Sequence, residues 1–136
     1  DSLEFLYNLL STHPYITIDL FSHTDSRSSA QYNQVLSEDR AKAVYKFLVE
    51  EKGIDERRIQ PIGKGEADPA RWINESGNEV LLQESFINKF RRSDNVMFEK
   101  LHQINRRTTA RITSTDFDPA TAAPANAEWM EFKPLR

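Results

Sequence analysis

The sequence of 136 residues contains no cysteine, which excludes disulfide bonds, thiolate nucleophiles and cysteine-based zinc sites. It has no apolar run near the ~18 residues that cross a bilayer, and its first residues lack the basic region of a signal peptide. Basic residues are not in excess, because 18 Lys and Arg stand against 21 Asp and Glu. Nucleic-acid binders usually have such an excess, so we expect no nucleic-acid partner. Because no apolar run is long enough, we also expect no transmembrane segment in this chain. The composition, 38% hydrophobic and 29% charged, fits one rather polar globular domain.

The hydrophobic pattern predicts alternating helices and strands. Helical spacing of apolar residues and alternating or β-branched residues mark these elements. The predicted helices are 2–11 and 29–52, and the predicted strands are 15–21, 58–62 and 108–113. Gly53 ends the long helix, Pro61 favours an edge position for the second strand, and 63–66 is a predicted turn. The order predicts an α/β fold, a two-layer sandwich of helices on a small mixed sheet.

The remaining segments divide the chain into a domain and a tail. Residues 70–103 are less regular and predict an excursion with one or two short helices, capped near Ser93 or Asp94. Residues 116–136 are rich in Ala and Pro and predict an extended or mobile tail. We therefore expect a domain over 1–115 with an insertion at about 70–103.

A polar patch is predicted where the first strand meets the long helix. Asp25 follows the carboxyl end of that strand, the place where ligands of open α/β sheets tend to bind. Asn33, Ser37, Arg40 and Val44 are spaced +4, +3 and +4, which predicts one inward-facing stripe on the helix at ~100° per residue.

Two explanations of this patch stay open. Asp25 and Arg40 could form a structural ion pair that ties the loop to the helix. Alternatively, they could bind a ligand, because a guanidinium takes a carboxylate bidentately and a carboxylate takes an ammonium. Together they would match the zwitterionic head of an amino acid.

The same residues resemble the C-terminal domains of the OmpA-like family. His23-Thr24-Asp25 and the helix positions after it match the signature H-T-D…N-x-x-L-S-x-x-R-A-x-x-V. The match continues in order over residues 3–113 and includes Gly53-Ile54, Arg58-Ile59, Gly63-Lys64-Gly65-Glu66, Asp68-Pro69 and Asn105-Arg106-Arg107. In this family a strand precedes the first helix, and that strand has no counterpart in this sequence.

The resemblance implies a non-enzymatic peptidoglycan-binding module that holds the diaminopimelate of the stem peptide. It implies that Arg40 grips the carboxylate and Asp25 the ammonium, with Asn33 as a supporting hydrogen-bonding residue. Arg107, or Arg106, matches an arginine from the last segment. Thr24 and Ser37 are expected to orient the loop and the helix. The implied location is the periplasm, with attachment to the outer membrane through other parts of the protein.

Three departures from the family pattern favour an alternative function. Ser28 stands where the family often has glycine, the insertion is long, and the tail lies outside the pattern. The alternative is a protein-interaction scaffold of an envelope or secretion assembly with a degenerate pocket. The end of the insertion, Leu101 to Arg107, is similar to Bacteroidetes envelope lipoproteins, including those linked to type IX secretion.

Enzymatic chemistry has little support in the sequence. Ser22, His23 and Asp25 lie too close on one extended segment to form a catalytic triad. His23 and Asp25 could bind a metal with Asp19, but His-x-Asp alone is a weak signal. We therefore predict no enzyme, no metal and no cofactor.

Overall fold

The computed structural model of the protein describes residues 2–124. Its elements, in chain order, are α1 (Ser2–Thr12), β1 (Thr17–His23), α2 (Ala30–Lys46), β2 (Ile59–Gly65), β3 (Arg71–Ile73), β4 (Glu79–Leu81), α3 (Glu84–Ile87), α4 (Asn95–Asn105) and β5 (Thr108–Ser114). The main sheet has the order β2-β1-β5, with β1 parallel to β2 and antiparallel to β5. The predicted small mixed sheet is confirmed, and β2 with Pro61 is an edge strand within it. None of the helices in residues 2–124 combines the length and apolarity that crossing a membrane requires.

The main core lies between the two long helices and one face of the sheet. Alternating residues of β1, Ile18 and Leu20, face this core because side chains alternate across a strand. The other buried members come from α1, from α2 and the turn that continues it, from β2 and from the segments before β1 and β2: Leu6, Leu10, Ile16, Tyr45, Leu48, Ile54 and Ile59. This packing confirms the predicted two-layer sandwich.

Helix α2 begins and ends as its sequence predicts. The Ser29 side chain accepts a hydrogen bond from the Tyr32 backbone N–H, which satisfies one of the free donors of the first turn. After Lys46 the helix continues as a π-helical turn over Phe47–Glu51. Gly53 follows with φ +72°, and its N–H donates to the Val49 carbonyl. Such left-handed backbone favours glycine, so Gly53 terminates the helix as expected.

Strand β2 extends to Gly65, so the predicted turn at 63–66 is wrong at its first three positions. Gly63 pairs with Ser22 and lies directly under α2. A Cβ atom at Gly63 would collide with the Glu38 backbone nitrogen and the Ser37 side chain. Glycine here permits a close approach of strand and helix rather than a chain reversal.

Residues 70–105, which include the predicted insertion at about 70–103, have a small core of their own. The sequence does not predict its β3–β4 hairpin, in which Trp72 pairs with Val80. Two helices follow, and Asp94 caps the second by accepting from the Met97 N–H, as predicted. The buried residues are Ala70, Leu82, Ile87 and Leu101, and partly buried aromatic residues, among them Phe86, Phe90 and Phe98, pack against them.

The first part of the predicted tail lies against the domain. The Phe117 N–H donates to the Tyr15 carbonyl, and the Arg57 guanidinium lies over the Phe117 ring, 5.6 Å from its centroid. Residues 125–136 of the predicted tail lie outside the described residues. The division into a domain over 1–115 and a tail therefore stays a prediction.

Candidate functional site

Asp25 lies in the loop that leaves the carboxyl end of β1, and its carboxylate is the centre of an ion-pair network. Oδ2 accepts from Arg27 Nη2 at 2.9 Å and from Arg106 Nη1 at 2.7 Å. Oδ1 accepts from the Arg27 backbone N–H at 3.1 Å. The Asp25 side chain is only 11% exposed, so these charge-assisted bonds are shielded from solvent.

The network keeps Asp25 ionised. Burial raises the pKa of the Asp25 carboxyl group, but the hydrogen bonds from Arg27 and Arg106 lower it by more, to about 2. At neutral pH the carboxylate is therefore a permanent acceptor for a cationic group.

Arg40 lies in the same cavity as Asp25 without contacting it. The cavity, of about 330 Å³, is lined by Thr24, Asp25, Arg27, Ser28, Asn33, Leu36, Arg40 and Arg106, and we call it the Asp25 cavity. Among the described residues Arg40 forms neither a salt bridge nor a side-chain hydrogen bond, while the salt bridges of Asp25 go to Arg27 and Arg106. The Asp25–Arg40 ion pair, one of the two explanations of the sequence pattern, is therefore not formed.

The predicted inward-facing stripe of α2 is wrong at Arg40, whereas Val44 packs against the main core. The buried residues of α2 are Asn33, Ser37, Ala41 and Tyr45, whereas Arg40 is exposed and Val44 is half-buried. At ~100° per residue, steps of four advance the buried line by about 40° each, which leaves Arg40 on the flank of the helix. This position lets its guanidinium reach the cavity at the helix margin.

Asn33 fixes the shape of the Asp25 loop. Its Nδ2 donates to the Asp25 carbonyl at 3.1 Å, the Ser28 carbonyl at 3.2 Å and Glu66 Oε1 at 3.2 Å. Because these three acceptors use the amide N–H groups, the main role of Asn33 in the cavity wall is to hold the Asp25 loop in place.

Ser37 joins two elements beside the site, and Thr24 lines the cavity. Ser37 is fully buried, and its hydroxyl donates to the Gln34 carbonyl and accepts from the Gly65 N–H at 2.8 Å. It therefore joins α2 to the end of β2 and does not line the cavity. Thr24 does line it, and the buried Thr24 Oγ1 has no hydrogen-bond partner among the described residues.

The two consecutive arginines after α4 have different positions. Arg106 lines the Asp25 cavity, whereas Arg107 lines the adjoining one and donates to the carbonyls of Asn105 and Asp68. Of the two arginines that the resemblance offered, the structure therefore brings Arg106 to Asp25.

Sequence reasoning did not find Arg27, Glu99 or His102, of which Arg27 bonds to Asp25, Glu99 bonds to Arg27, and His102 senses the charge of Asp25. Arg27 also donates to both oxygens of Glu99, on α4, at 2.9 and 3.0 Å. His102, one turn further along α4, is buried and stacks edge-on against Phe98 at 4.6 Å. Burial lowers the pKa of the His102 ring below its ordinary value. Only Arg27 could have been found from the sequence, because it lies two residues after Asp25. Glu99 and His102 lie on α4, within the insertion, and no local pattern links them to Asp25.

Within residues 2–124, no group of three His, Asp or Glu side chains is arranged to hold a metal ion. His23 Nε2 instead shares a 2.9 Å hydrogen bond with Thr109 Oγ1. The site thus offers ionic and hydrogen-bonding recognition.

These features define an α/β domain with a polar cavity beside the signature helix, in which Asp25 is paired with Arg27 and Arg106 and Arg40 has no ion pair among the described residues. The sequence model of the OmpA family matches residues 1–80, more than half of the chain, so this protein belongs to the OmpA family. The family prediction is confirmed, and with it the prediction that the domain is not an enzyme.

Two curated relatives illustrate the similarity. Outer membrane porin F of Pseudomonas aeruginosa is 39% identical over 64 residues, which are 47% of this chain and 18% of that protein. The peptidoglycan-associated lipoprotein of Legionella pneumophila is 35% identical over 71 residues, 52% of this chain and 40% of that protein. The aligned region is thus less than half the length of either relative.

A solved structure is also similar. The crystal structure of the peptidoglycan-associated lipoprotein from Burkholderia pseudomallei aligns with 81% of this chain and 71% of its own, with a TM-score of 0.49 and 20% sequence identity. The narrower likeness to Bacteroidetes lipoproteins stays a prediction.

Proposed function

We propose that this domain binds peptidoglycan non-covalently through the diaminopimelate of the stem peptide. Membership of the OmpA family supports the proposal, as does a relative named as a peptidoglycan-associated lipoprotein. The observation that carries it is that Asp25 and Arg40 line one cavity without bonding to each other. A free amino-acid head carries an ammonium and a carboxylate on one carbon, so it would complement both side chains.

The recognition would use charge-assisted hydrogen bonds. Arg40, which has no partner to give up among the described residues, would take the carboxylate through its planar guanidinium. The ammonium would reach Asp25 Oδ2 by replacing the Arg27 guanidinium, whose side chain is 37% exposed. Arg106, bonded to the same oxygen at 2.7 Å, would keep the carboxylate in place.

The role that follows is anchoring of an envelope protein to the cell wall. Each hydrogen bond to a charged group contributes about 1.5–3 kcal/mol, which gives moderate affinity for one site. Repetition of the ligand along a polymeric wall would add avidity. We place the domain in the periplasm, joined to the outer membrane through parts of the protein outside this chain.

The test is a calorimetric titration with two stem tripeptides that differ only at the third residue, diaminopimelate or lysine. Lysine has the ammonium but lacks the carboxylate that Arg40 would bind, so we expect at least about tenfold weaker binding, equivalent to about 1.4 kcal/mol. In the Arg40→Ala variant the two peptides should bind alike. Equal binding of both peptides to the unchanged protein would refute the proposal.

A second candidate is a protein-interaction scaffold whose pocket is filled by its own side chains. The observation that favours it is the bridge from Asp25 through Arg27 to Glu99, which ties the loop to the insertion. In that case neither tripeptide should bind, even when the Arg27 side chain is removed.

A further inference from the structure

A second cavity adjoins the Asp25 cavity, on the other side of Arg40 and Arg106. It measures about 430 Å³, and both of these arginines line it as well as the first cavity. We call it the Arg107 cavity. Its other lining residues are Leu3, Ser22, His23, Ala43, Val44, Arg107 and Thr108.

Positive charge in the Arg107 cavity exceeds the negative charge that pairs with it. Three arginines line it, and among the described residues the only salt bridge that any of them makes is that of Arg106 to Asp25. Arg107 donates to the Asp68 carbonyl at 3.0 Å and the Asn105 carbonyl at 3.3 Å, which are neutral acceptors. The Asp68 carboxylate acts on Arg107 only electrostatically, without forming a salt bridge.

The pKa values of two groups that line the cavity, His23 and Arg107, agree with this excess of positive charge. Burial, and next the positive charge of Arg107, lower the pKa of His23 to about 4, although Asp68 acts in the opposite direction. Burial also lowers the pKa of Arg107. A partly desolvated guanidinium with only carbonyl partners gains more from an incoming anion than a fully hydrated one does.

We propose that the Arg107 cavity binds a second carboxylate of the same stem peptide whose amino-acid head enters the Asp25 cavity. Arg40 and Arg106 line both cavities, so one ligand could extend past them with an anionic group on each side. Apolar side chains of Leu3, Ala43 and Val44 supply a surface for the methylene groups between. The inference rests on the proposed function and adds that the domain recognises an acidic peptide rather than one residue.

The first test needs no variant. The probe is the tripeptide alanyl-γ-glutamyl-diaminopimelate, titrated with its carboxyl groups free and with the two carboxyl groups outside the zwitterionic head converted to amides. We expect the amidated peptide to bind about tenfold more weakly, the change that the loss of one charged hydrogen-bonded contact produces. Equal affinity of the two forms, with clear binding of both, overturns this inference and leaves the proposed function intact. Binding of neither form refutes both.

The second test assigns the effect to Arg107. Arg107→Gln should weaken the free-acid peptide to the level of the amidated one and leave the amidated peptide unchanged, because only the former has the anion. The unchanged titration of the amidated peptide also shows that the variant is folded. Arg91→Gln removes the same charge outside both cavities and should change neither affinity. Equal weakening of both peptides by Arg107→Gln, or equal effects of the two variants, would overturn the inference.

Discussion

Arg106 donates from Nη1 to Oδ2 of Asp25 over 2.7 Å, and the two residues are 81 positions apart in the sequence. The bond connects the segment between α4 and β5 to the loop after β1, so the cavity wall is built from both ends of the domain. Removing one partner of a shielded ion pair leaves an uncompensated charge and is costly. Arg106 is therefore suited to hold the carboxylate, which leaves Arg40 as the guanidinium of the Asp25 cavity that is available to a ligand.

We expect Arg40→Ala to abolish pulldown with purified sacculi while the fold persists. Arg40 is exposed and has no ion pair or side-chain hydrogen bond among the described residues, so its loss should change the free energy of unfolding by less than ~0.5 kcal/mol. Binding is measured by co-sedimentation and stability by urea unfolding. Arg92→Ala, which removes the same charge outside both cavities, is the matched control. Retained binding, or unfolding of Arg40→Ala, would contradict the assignment of Arg40 to the ligand.

Arg27→Ala distinguishes an occupied pocket from an open one. Arg27 holds the oxygen of Asp25 that an ammonium would need, so its removal should strengthen binding of the diaminopimelate tripeptide by about 1 kcal/mol, roughly fivefold. Calorimetric titration gives the change. Glu99→Gln is the control, because it removes only the salt bridge between Glu99 and Arg27 and keeps the one between Arg27 and Asp25. Its affinity for the tripeptide should be closer to that of the unchanged protein. Weaker binding by Arg27→Ala would mean that Arg27 itself contacts the ligand.

The elements with a regular period were predictable, whereas those that depend on distant contacts were not. Apolar spacing located α1 and α2, and β-branched content located β5. The end of β2 was missed because Gly63-Lys64-Gly65 has the composition of a turn, although the glycines are required by the closeness of α2 and, at Gly65, by a φ of +55°. The β3–β4 hairpin was missed because strands of three residues are too short to show alternation.

At the site, the sequence predicted that Asp25 and Arg40 lie near each other but did not predict the ion-pair partners of Asp25. Their proximity follows from local geometry, a strand end followed by a capped helix. Glu99, the partner of Arg27, and Arg106, the partner of Asp25, are more than 70 positions away in the sequence. They reach the site only because the insertion folds back onto the loop after β1. No local pattern encodes such a contact.

His23 should make the domain less stable in mild acid. Its pKa is lowered from 6.5 to about 4 by burial and by Arg107, so between these values the unfolded chain binds a proton that the folded protein does not. The contribution of His23 to stability is therefore present above about pH 6.5 and is lost as the pH falls to about 4, by an amount on the order of 3 kcal/mol. Urea midpoints measured from pH 7.5 to 4 give this slope.

His23→Asn should flatten that dependence, because asparagine does not titrate. Burial lowers the pKa of His102 as well, so a smaller slope in the same direction should remain. His13→Asn, at an exposed histidine, is the control and should keep the full slope. An unchanged slope in His23→Asn would show that His23 is not the group that titrates.

Arg58→Met should destabilise the domain by about 3 kcal/mol or more, because it removes three charged hydrogen bonds and leaves the His13 carbonyl with only the Ile16 N–H as donor. Arg58 is only 6% exposed and donates to the carbonyls of Ile16 at 2.9 Å, Leu10 at 2.8 Å and His13 at 2.7 Å. These carbonyls lie at the end of α1 and at the entry to β1, so the arginine ties the first helix to the sheet and satisfies groups that a helix terminus leaves free. Methionine preserves most of the side-chain volume, which isolates the hydrogen bonds.

Arg57→Met, which removes a more exposed ion pair with Asp55, is the neighbouring control and should lower the urea midpoint much less. If Arg58→Met unfolded at the midpoint of the unchanged protein, water would be satisfying those carbonyls and the arginine would not be holding α1 in place.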